Sequence, residues 1–244
     1  ENYYALLNRK ADKKIQVALF DEKSGKRWKE VVEPISLGGE SQLAYERWVK
    51  NREKDVERLS GGKVGYVHVR GMDSESFRVV FEKALGKYND CEALIVDTRF
   101  NGGGWLHDDL ATFLSGKPYM TFEPRGQKMG SEPQFKWQKP SAVLISEGNY
   151  SDAHMFPYTY KALGIGKLIG MPVPGTGTAV WWERMIDGST IFGIPQIGMR
   201  TVKEDRLMEN FQLEPDIKVK NDPGYVNTGT DQQLQKAVEE LLRK

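Results

Sequence analysis

Two apolar segments of the sequence each end in residues that could take part in acyl transfer. Residues 93–97 lead into FNGGGW, with glycines at 102–104, and residues 142–146 lead into EGNYSD, with Ser151 and Asp152. A glycine run can present backbone N–H groups to an anion, and a serine hydroxyl becomes a nucleophile once a base takes its proton. Taken alone, the glycine run is equally typical of a tight turn, and Ser151-Asp152 is more typical of a helix cap.

Other readings of these residue types fit less well. No Gly-Lys-Ser/Thr follows the glycine run, and its spacing is not that of a dinucleotide fingerprint. Of the three histidines, His68 is mid-strand, His107 is either a helix-start or a site residue, and His154 is expected to be a packing or surface group. No two of them have metal-ligand spacing, so we expect neither a metal nor another cofactor.

Strands and helices alternate along most of the chain. Apolar runs predict strands at residues 64–69, 93–97, 142–146 and 167–170, and Asp73 is placed to cap a helix that continues to Tyr88. Helices are also expected near residues 106–114, 153–163 and 231–243, with Pro157 kinking or delaying the one that follows Ser151. This order predicts an α/β layered domain with a largely parallel sheet, whose sites lie at the carboxyl ends of the strands.

Composition excludes several classes of protein. The 244 residues include 35 Lys+Arg and 34 Asp+Glu, a net charge of +1, which argues against binding nucleic acid through a bulk positive field. A hydrophobic fraction of 39% excludes disorder, and the single cysteine, Cys91, excludes an intrachain disulfide. Prolines and glycines interrupt the longest apolar stretch, residues 163–182, so no membrane span is expected. The compartment stays open, with the cytoplasm favoured and the periplasm as the alternative.

Five segments together resemble one enzyme family. In order they are GKVGYVHVRGM, ALIVDTRFNGGG, AVLISEGNYSDAHMF, LIGMPVPGTG and MENFQLEPDIKVKNDP. They resemble the protease core of the tricorn-type, tail-specific (C-terminal-processing) serine proteases of the crotonase-like (ClpP/crotonase) superfamily. The resemblance implies a crotonase-like layered core at residues 62–244, a linker helix at 37–61 and the C-terminal part of a β-rich PDZ-like module at 1–36. Residues 3–7 look like a helical turn without a cap, so we expect the chain to begin inside a domain.

The resemblance also implies roles for particular residues. Ser151 aligns with the nucleophile. The backbone N–H of Asp152 aligns with the oxyanion hole, together with one N–H from the glycine run, for which Gly104 is preferred over Gly103. Glu209, in MENFQLEPDI, aligns with the glutamate that completes the catalytic tetrad. The substrate would be a peptide or an unfolded protein, and the full-length form would be a homo-oligomer.

Two departures from the family pattern matter. In the family the histidine base and a partner serine come from a segment upstream of the PDZ module, so the base is expected outside these 244 residues. The chain is then either a fragment of a longer protease, which we favour, or an incomplete homologue. Phe122 falls on the family's acidic specificity position, with Glu123 beside it, which puts a preference for basic substrates in doubt.

Two competing functions remain open at this point. The first is a non-catalytic module of the same fold that binds a peptide by strand addition at a sheet edge. The second is a CoA-handling crotonase relative, which also uses backbone N–H groups as an oxyanion hole but would leave Ser151 and Glu209 without a role.

Overall fold

The computed structural model describes residues 2–225 and 229–243. Residues 1, 226–228 and 244, which the predicted modules include, lie outside this description. The chain divides into two compact units, Glu1–Asn51 and Arg52–Lys244. The division falls inside helix α1 (Leu37–Ser60), which corresponds to the predicted linker helix.

The first unit contains a short helical turn and a hairpin. A 3-10 helix covers Tyr3–Leu7, and the antiparallel strands β1 (Ile15–Phe20) and β2 (Arg27–Val32) pair from Ile15↔Val32 onward. The expected absence of a helix cap is wrong, because the Asn2 side chain accepts a hydrogen bond from the Tyr4 N–H at 3.1 Å. The assignment of this unit to a PDZ-like module stays a prediction.

The second unit is built around a parallel sheet with helices between its strands. Its strands are β3 (Val64–His68), β4 (Ala93–Asp97), β5 (Met120–Phe122), β6 (Gly130–Glu132), β7 (Ser141–Ile145), β8 (Lys167–Gly170), β9 (Thr178–Arg184), β10 (Ile191–Gly198) and β11 (Ile217–Lys218). The α-helices described for it after α1 are α2 (Ser74–Glu82), α3 (His107–Leu114), α4 (Asp152–Ala162) and α5 (Gln232–Leu242).

The central sheet has five strands in the order β3-β4-β7-β8-β11, and every neighbouring pair is parallel. All residues of β3, β4 and β7 are buried, which explains why these strands read as continuous apolar runs rather than alternating ones. Each Leu, Ile or Val buried in this way stabilises the fold by roughly 1.5–3 kcal/mol. The predicted α/β class with a largely parallel sheet is confirmed.

Two helices differ from their predicted form. Asp73 does cap α2, accepting from the Ser76 N–H at 2.7 Å, but regular α-helix ends at Glu82 and Lys83–Lys87 forms a π-helical turn. Of the two outcomes expected from Pro157, a kink or a delayed start, the delayed start is not observed, because helix α4 runs from Asp152 through Pro157. Pro157 cannot donate to the Ala153 carbonyl one turn earlier, and the Asn149 side chain supplies that hydrogen bond at 3.1 Å.

Three shorter features complete the unit. Strands β9 and β10 form an antiparallel hairpin where two or three strands were expected. The hairpin β5–β6 and the edge strand β11 were not predicted, because strands of two or three residues have too few positions to show a hydrophobic period. Among the described residues, no helix is both long and apolar enough to cross a membrane.

Candidate active site

The loop that follows β4, residues 101–106, is called here the glycine loop. Its first residue, Asn101, is fully buried and ties the loop to the end of β3 through a 2.8 Å hydrogen bond from Nδ2 to the carbonyl of Val69, the residue that follows the strand. Asn101 Oδ1 accepts from the Gly103 N–H, also at 2.8 Å. The Gly103 N–H therefore already has a partner within the loop, and the geometry gives no support to its expected role as an oxyanion donor.

Gly104 occupies a position that only glycine fits. Its φ is +144°, and a Cβ there would lie 2.1 Å from the Met72 carbonyl oxygen. The segment is held by two backbone hydrogen bonds, Met72 N–H to Gly103 O at 3.0 Å and Trp105 N–H to Met72 O at 2.7 Å. Within the described part of the chain, the N–H of Gly104 itself has no hydrogen-bond partner.

The loop that follows β7 ends in a sharp turn, residues 150–152, called here the serine elbow. Ser151 has φ +55° and ψ −123°, a conformation that costs a non-glycine residue about 1–3 kcal/mol. Although Ser151 precedes α4, its side chain makes no capping hydrogen bond, so the helix-cap interpretation is wrong. The Ser151 N–H donates to Thr176 Oγ1 at 2.9 Å, which helps to hold the strained turn.

The elbow and the glycine loop are in direct contact. The Tyr150 N–H donates to the Asn101 carbonyl at 3.0 Å, and a Cβ on Gly103 would lie 2.7 Å from the Ser151 Cβ. Asp152 begins α4, and among the described residues its N–H has no partner. The two unpartnered N–H groups, of Gly104 and Asp152, therefore lie on the two loops that make contact at Ser151.

The Asp152 side chain points away from its own helix and into the glycine loop. Its carboxylate is buried and accepts from the Leu106 N–H at 2.5 Å, from the His107 N–H at 3.1 Å and from His107 Nδ1 at 2.5 Å. The hydrogen bond to Asp152 raises the pKa of His107 above its ordinary value, outweighing burial, and Asp108 and Asp109 add to the rise.

Glu209 lies in the same cleft as Ser151. The cleft has a volume of about 770 Å³ and is lined by the glycine loop, Ser151, Glu209 and apolar side chains that include Trp105, Met155, Val180 and Trp182. Glu209 Oε2 accepts from the Gly177 N–H at 2.9 Å and from Thr178 Oγ1 at 2.8 Å, which fixes the carboxylate at the start of β9.

Each of the three histidines has a described hydrogen-bond partner other than the Ser151 hydroxyl. His68 Nε2 bonds to the Arg99 carbonyl at 3.2 Å, and His107 bonds to Asp152. His154 is 2% exposed, so it is a packing residue and not a surface residue. Its Nδ1 lies 3.1 Å from the Thr176 carbonyl oxygen. Burial lowers the pKa of His154, opposed by the Thr176 carbonyl and by Glu209.

Phe122 and Glu123 are not brought into the cleft. Phe122 ends β5 of the β5–β6 hairpin, and both side chains are exposed. Neither belongs to the described residues that line the cleft around Ser151. A role for them in binding substrate has no support from the geometry.

Sequence reasoning missed three residues that build the site. Asn149 is buried, accepts from the Ser146 N–H at 3.1 Å and donates to Thr98 Oγ1 at 3.0 Å, so it shapes the loop that carries the elbow. Thr176 supports the Ser151 N–H, and Trp182 forms part of the cleft wall. Asn149 and Thr176 both lie in segments that carry the family resemblance, EGNYSD and PGTG, which was the available signal; Trp182 had none.

This arrangement suits acyl transfer. A strained serine beside two free N–H groups offers a nucleophile and donors for a negatively charged oxygen. Among the residues that the structure describes, no group of three or more His, Cys, Asp or Glu side chains could hold a metal ion.

Comparison with known proteins places the chain in a family. The model of peptidase family S41 matches residues 63–219, which is the part that contains the sheet and both loops. The chain belongs to peptidase family S41.

Its relatives are consistent with this assignment. The chain is 25% identical over 243 residues to the tricorn protease of Thermoplasma acidophilum, covering 100% of this chain and 22% of that protein. It is 29% identical over 205 residues to tricorn protease homolog 1 of Streptomyces coelicolor, covering 84% of this chain and 19% of that protein. The crystal structure of the tricorn protease superposes with a TM-score of 0.82 at 25% identity, over 99% of this chain and 23% of that one. The chain thus spans about a fifth of the length of these curated relatives.

Proposed function

We propose that this chain carries the nucleophile and the oxyanion hole of a serine peptidase that cleaves peptides or unfolded proteins through an acyl-enzyme on Ser151. The observation that carries the proposal is the strained Ser151 backbone, flanked by the unpartnered N–H groups of Gly104 and Asp152. Membership of peptidase family S41 supports the reaction class.

The chemistry follows from this geometry. Ser151 Oγ attacks the scissile carbonyl carbon while a base removes the hydroxyl proton, and the carbonyl oxygen becomes an oxyanion. The N–H groups of Gly104 and Asp152 stabilise that oxyanion, and a single such donor contributes roughly 3–4 kcal/mol in known hydrolases. The tetrahedral intermediate collapses to the acyl-enzyme, and the leaving amine takes the proton from the base. Water then attacks the ester, and Ser151 is restored.

We further propose that the base is an imidazole from a segment outside these 244 residues. The hydrogen bonds of His107 and His154 are directed to Asp152 and Thr176, which supports this view. Glu209 would orient this imidazole, because one of its carboxylate oxygens is held by Gly177 and Thr178 while the carboxylate faces the cleft.

The test compares the full-length protein with the isolated 244-residue chain on a panel of fluorogenic peptides. The full-length protein should cleave, and the Ser151→Ala variant should lose roughly 10⁴–10⁶-fold in kcat, as other serine hydrolases do without their nucleophile. Glu209→Gln should lower kcat and leave folding intact. The isolated chain should cleave very slowly or not at all, because serine activation needs an imidazole within about 2.6–3.2 Å of the hydroxyl.

Several results would contradict the proposal. Turnover that survives Ser151→Ala would remove Ser151 as nucleophile. Serine-dependent turnover by the isolated chain at the full-length rate would show that the base lies within it, with His107 as the first residue to replace. Tight peptide binding by wild type and Ser151→Ala alike, without cleavage by the full-length protein, would favour the non-catalytic binding module.

A further inference from the structure

Helix α3 is capped by a residue from the serine elbow. The N-cap position of α3 is occupied by Leu106, whose side chain cannot accept a hydrogen bond, and no local side chain caps the helix. The Leu106 and His107 N–H groups instead donate to Asp152 Oδ2. Asp152 lies 46 and 45 residues further along the chain than these two donors. Free N–H groups at a helix start favour a negatively charged partner, so the carboxylate suits this position.

Both carboxylate oxygens are occupied by the end of the glycine loop and the first residue of α3. While Oδ2 accepts the two backbone N–H groups, Oδ1 lies 2.5 Å from His107 Nδ1. The Asp152 side chain is 1% exposed and the His107 side chain 21%, so the contact is largely shielded from water. A buried carboxylate that makes three hydrogen bonds to one segment holds that segment firmly.

The position of this contact relates it to catalysis. Gly104 lies two residues before Leu106, and the backbone N–H of Asp152 belongs to the residue whose side chain makes the contact. The two proposed oxyanion donors are therefore joined by a short path through the Asp152 carboxylate. The other backbone bond between the two loops, from Tyr150 to Asn101, lies on the opposite side of Gly104 in the chain.

We propose that the Asp152 side chain, together with His107, is a positioning clip that sets the spacing of the Gly104 and Asp152 N–H groups. The proposal rests on the proposed function, because it assumes that these N–H groups stabilise an oxyanion. Asp152 acts twice, with its backbone as a donor and its side chain as the clip, while His107 acts only through Asp152.

Two substitutions of Asp152 should affect this contact differently. Asparagine can accept the two backbone N–H groups through its oxygen and donate from its amide to His107 Nδ1, so the clip is kept without the charge. Alanine removes all three hydrogen bonds and frees the glycine loop relative to the elbow. Because oxyanion donors act mainly in the transition state, loss of the clip should lower kcat far more than it raises KM.

The test uses the full-length protein with fluorogenic peptides and, in parallel, the affinity for a peptide aldehyde, whose adduct with Ser151 needs the oxyanion hole. Asp152→Ala should lower kcat by about 10²-fold, the loss typical of misplaced catalytic groups, with KM within about twofold and aldehyde affinity falling in parallel. Asp152→Asn should recover most of both. His107→Ala should fall between wild type and Asp152→Ala, since it removes one of the three hydrogen bonds.

Controls keep the proposal falsifiable. Asp108→Asn removes an exposed charge from the same helix start and should leave kcat unchanged. The proposal is overturned if Asp152→Ala retains wild-type kcat, or if Asp152→Asn loses as much as Asp152→Ala. The two proposals fail in different ways. If the proposed function is wrong, Ser151→Ala retains turnover. If only the positioning clip is wrong, Ser151→Ala abolishes turnover and Asp152→Ala does not reduce it.

Discussion

The loops that follow β4 and β7 meet at one edge of the sheet, yet they are held by different chemistry. The loop after β4 is anchored by buried charges: Arg99, 1% exposed, donates to Asp97 at 2.6 Å and to Asp231 at 3.0 Å. The loop after β7 is anchored by neutral groups, chiefly the buried amide of Asn149.

The difference indicates how each loop should respond to damage. Burial alone would raise the pKa of the Asp97 carboxyl, but the Arg99 guanidinium lowers it below its ordinary value, so the charged pair depends on both partners. Removing one partner of a buried ion pair leaves a charge without compensation, whereas removing a neutral partner leaves only unsatisfied hydrogen-bonding groups. The charged anchor should therefore be the more sensitive of the two.

The largest effect is expected for Arg99→Met, which leaves Asp97 and Asp231 buried without their main cation. The free energy of unfolding should fall by about 3–5 kcal/mol, measured by urea denaturation. Arg125→Met, at an exposed position in the short helical turn Pro124–Gly126, is the control and should change it by less than about 0.5 kcal/mol. A loss below about 1 kcal/mol for Arg99→Met would mean that the charges do not anchor this loop.

The contact between the two loops should be the next most sensitive point. Gly103 has φ +96°, and a Cβ there would lie 2.7 Å from the Ser151 Cβ, whereas nothing lies within 4 Å of a Cβ on Gly102. Gly103→Ala should destabilise the chain by about 2–4 kcal/mol through strain and crowding, and Gly102→Ala should change stability by less than about 1 kcal/mol. Equal thermal melting of the two variants would contradict the close approach of the loops.

A smaller loss is expected for the neutral anchor. Asn149→Ala removes the partners of the Ser146 N–H, the Thr98 hydroxyl and the Ala153 carbonyl, all in the interior. The free energy of unfolding should fall by about 1–3 kcal/mol, with the exposed Asn89→Ala as control. If Asn149→Ala cost more than Arg99→Met in the same denaturation series, the ranking of charged above neutral anchoring would be reversed.

The smallest effect is the dependence of stability on pH, and its sign differs between His107, at the start of α3, and His154, in α4. The pKa of His107 is raised by its hydrogen bond to Asp152, so this pair stabilises fully below the unfolded pKa of about 6.5 and the contribution is lost as pH rises through the raised pKa. Burial lowers the pKa of His154, beside the elbow, so its neutral form is favoured in the folded chain. The contribution of His154 to stability is therefore present above about pH 6.5 and is lost as pH falls. The effect is small because water reaches His107.

The measurement is the difference in unfolding free energy between wild type and His107→Gln from pH 5.5 to pH 8.5. The difference should be largest at the acidic end and should shrink as pH rises, while the contribution of His154 cancels because both proteins contain it. A difference that stays constant or grows with pH would show that the imidazolium form of His107 is not favoured in the folded chain.

Much of the fold followed from local pattern. The apolar runs of β3, β4 and β7 predicted buried parallel strands, and Asp73 predicted the start of α2, because a continuous apolar run and a capping side chain are both recognisable from adjacent residues. The two-residue strand β11 and the passage of α4 through Pro157 did not follow, since both depend on partners elsewhere in the chain.

The sequence by itself determined the order of the longer strands and helices, the family resemblance, and the presence of Ser151 and a glycine run after two buried strands. Only the tertiary structure decided that the Gly103 N–H is already bonded to Asn101, that Ser151 is strained rather than a cap, and that Asp152 caps a helix 45 residues earlier in the chain. The physical reason is that a hydrogen bond needs atoms within about 3 Å in a favourable direction. For residues on different loops, those distances are set by the parallel register of β4 and β7 and by the packing of the helices that follow them.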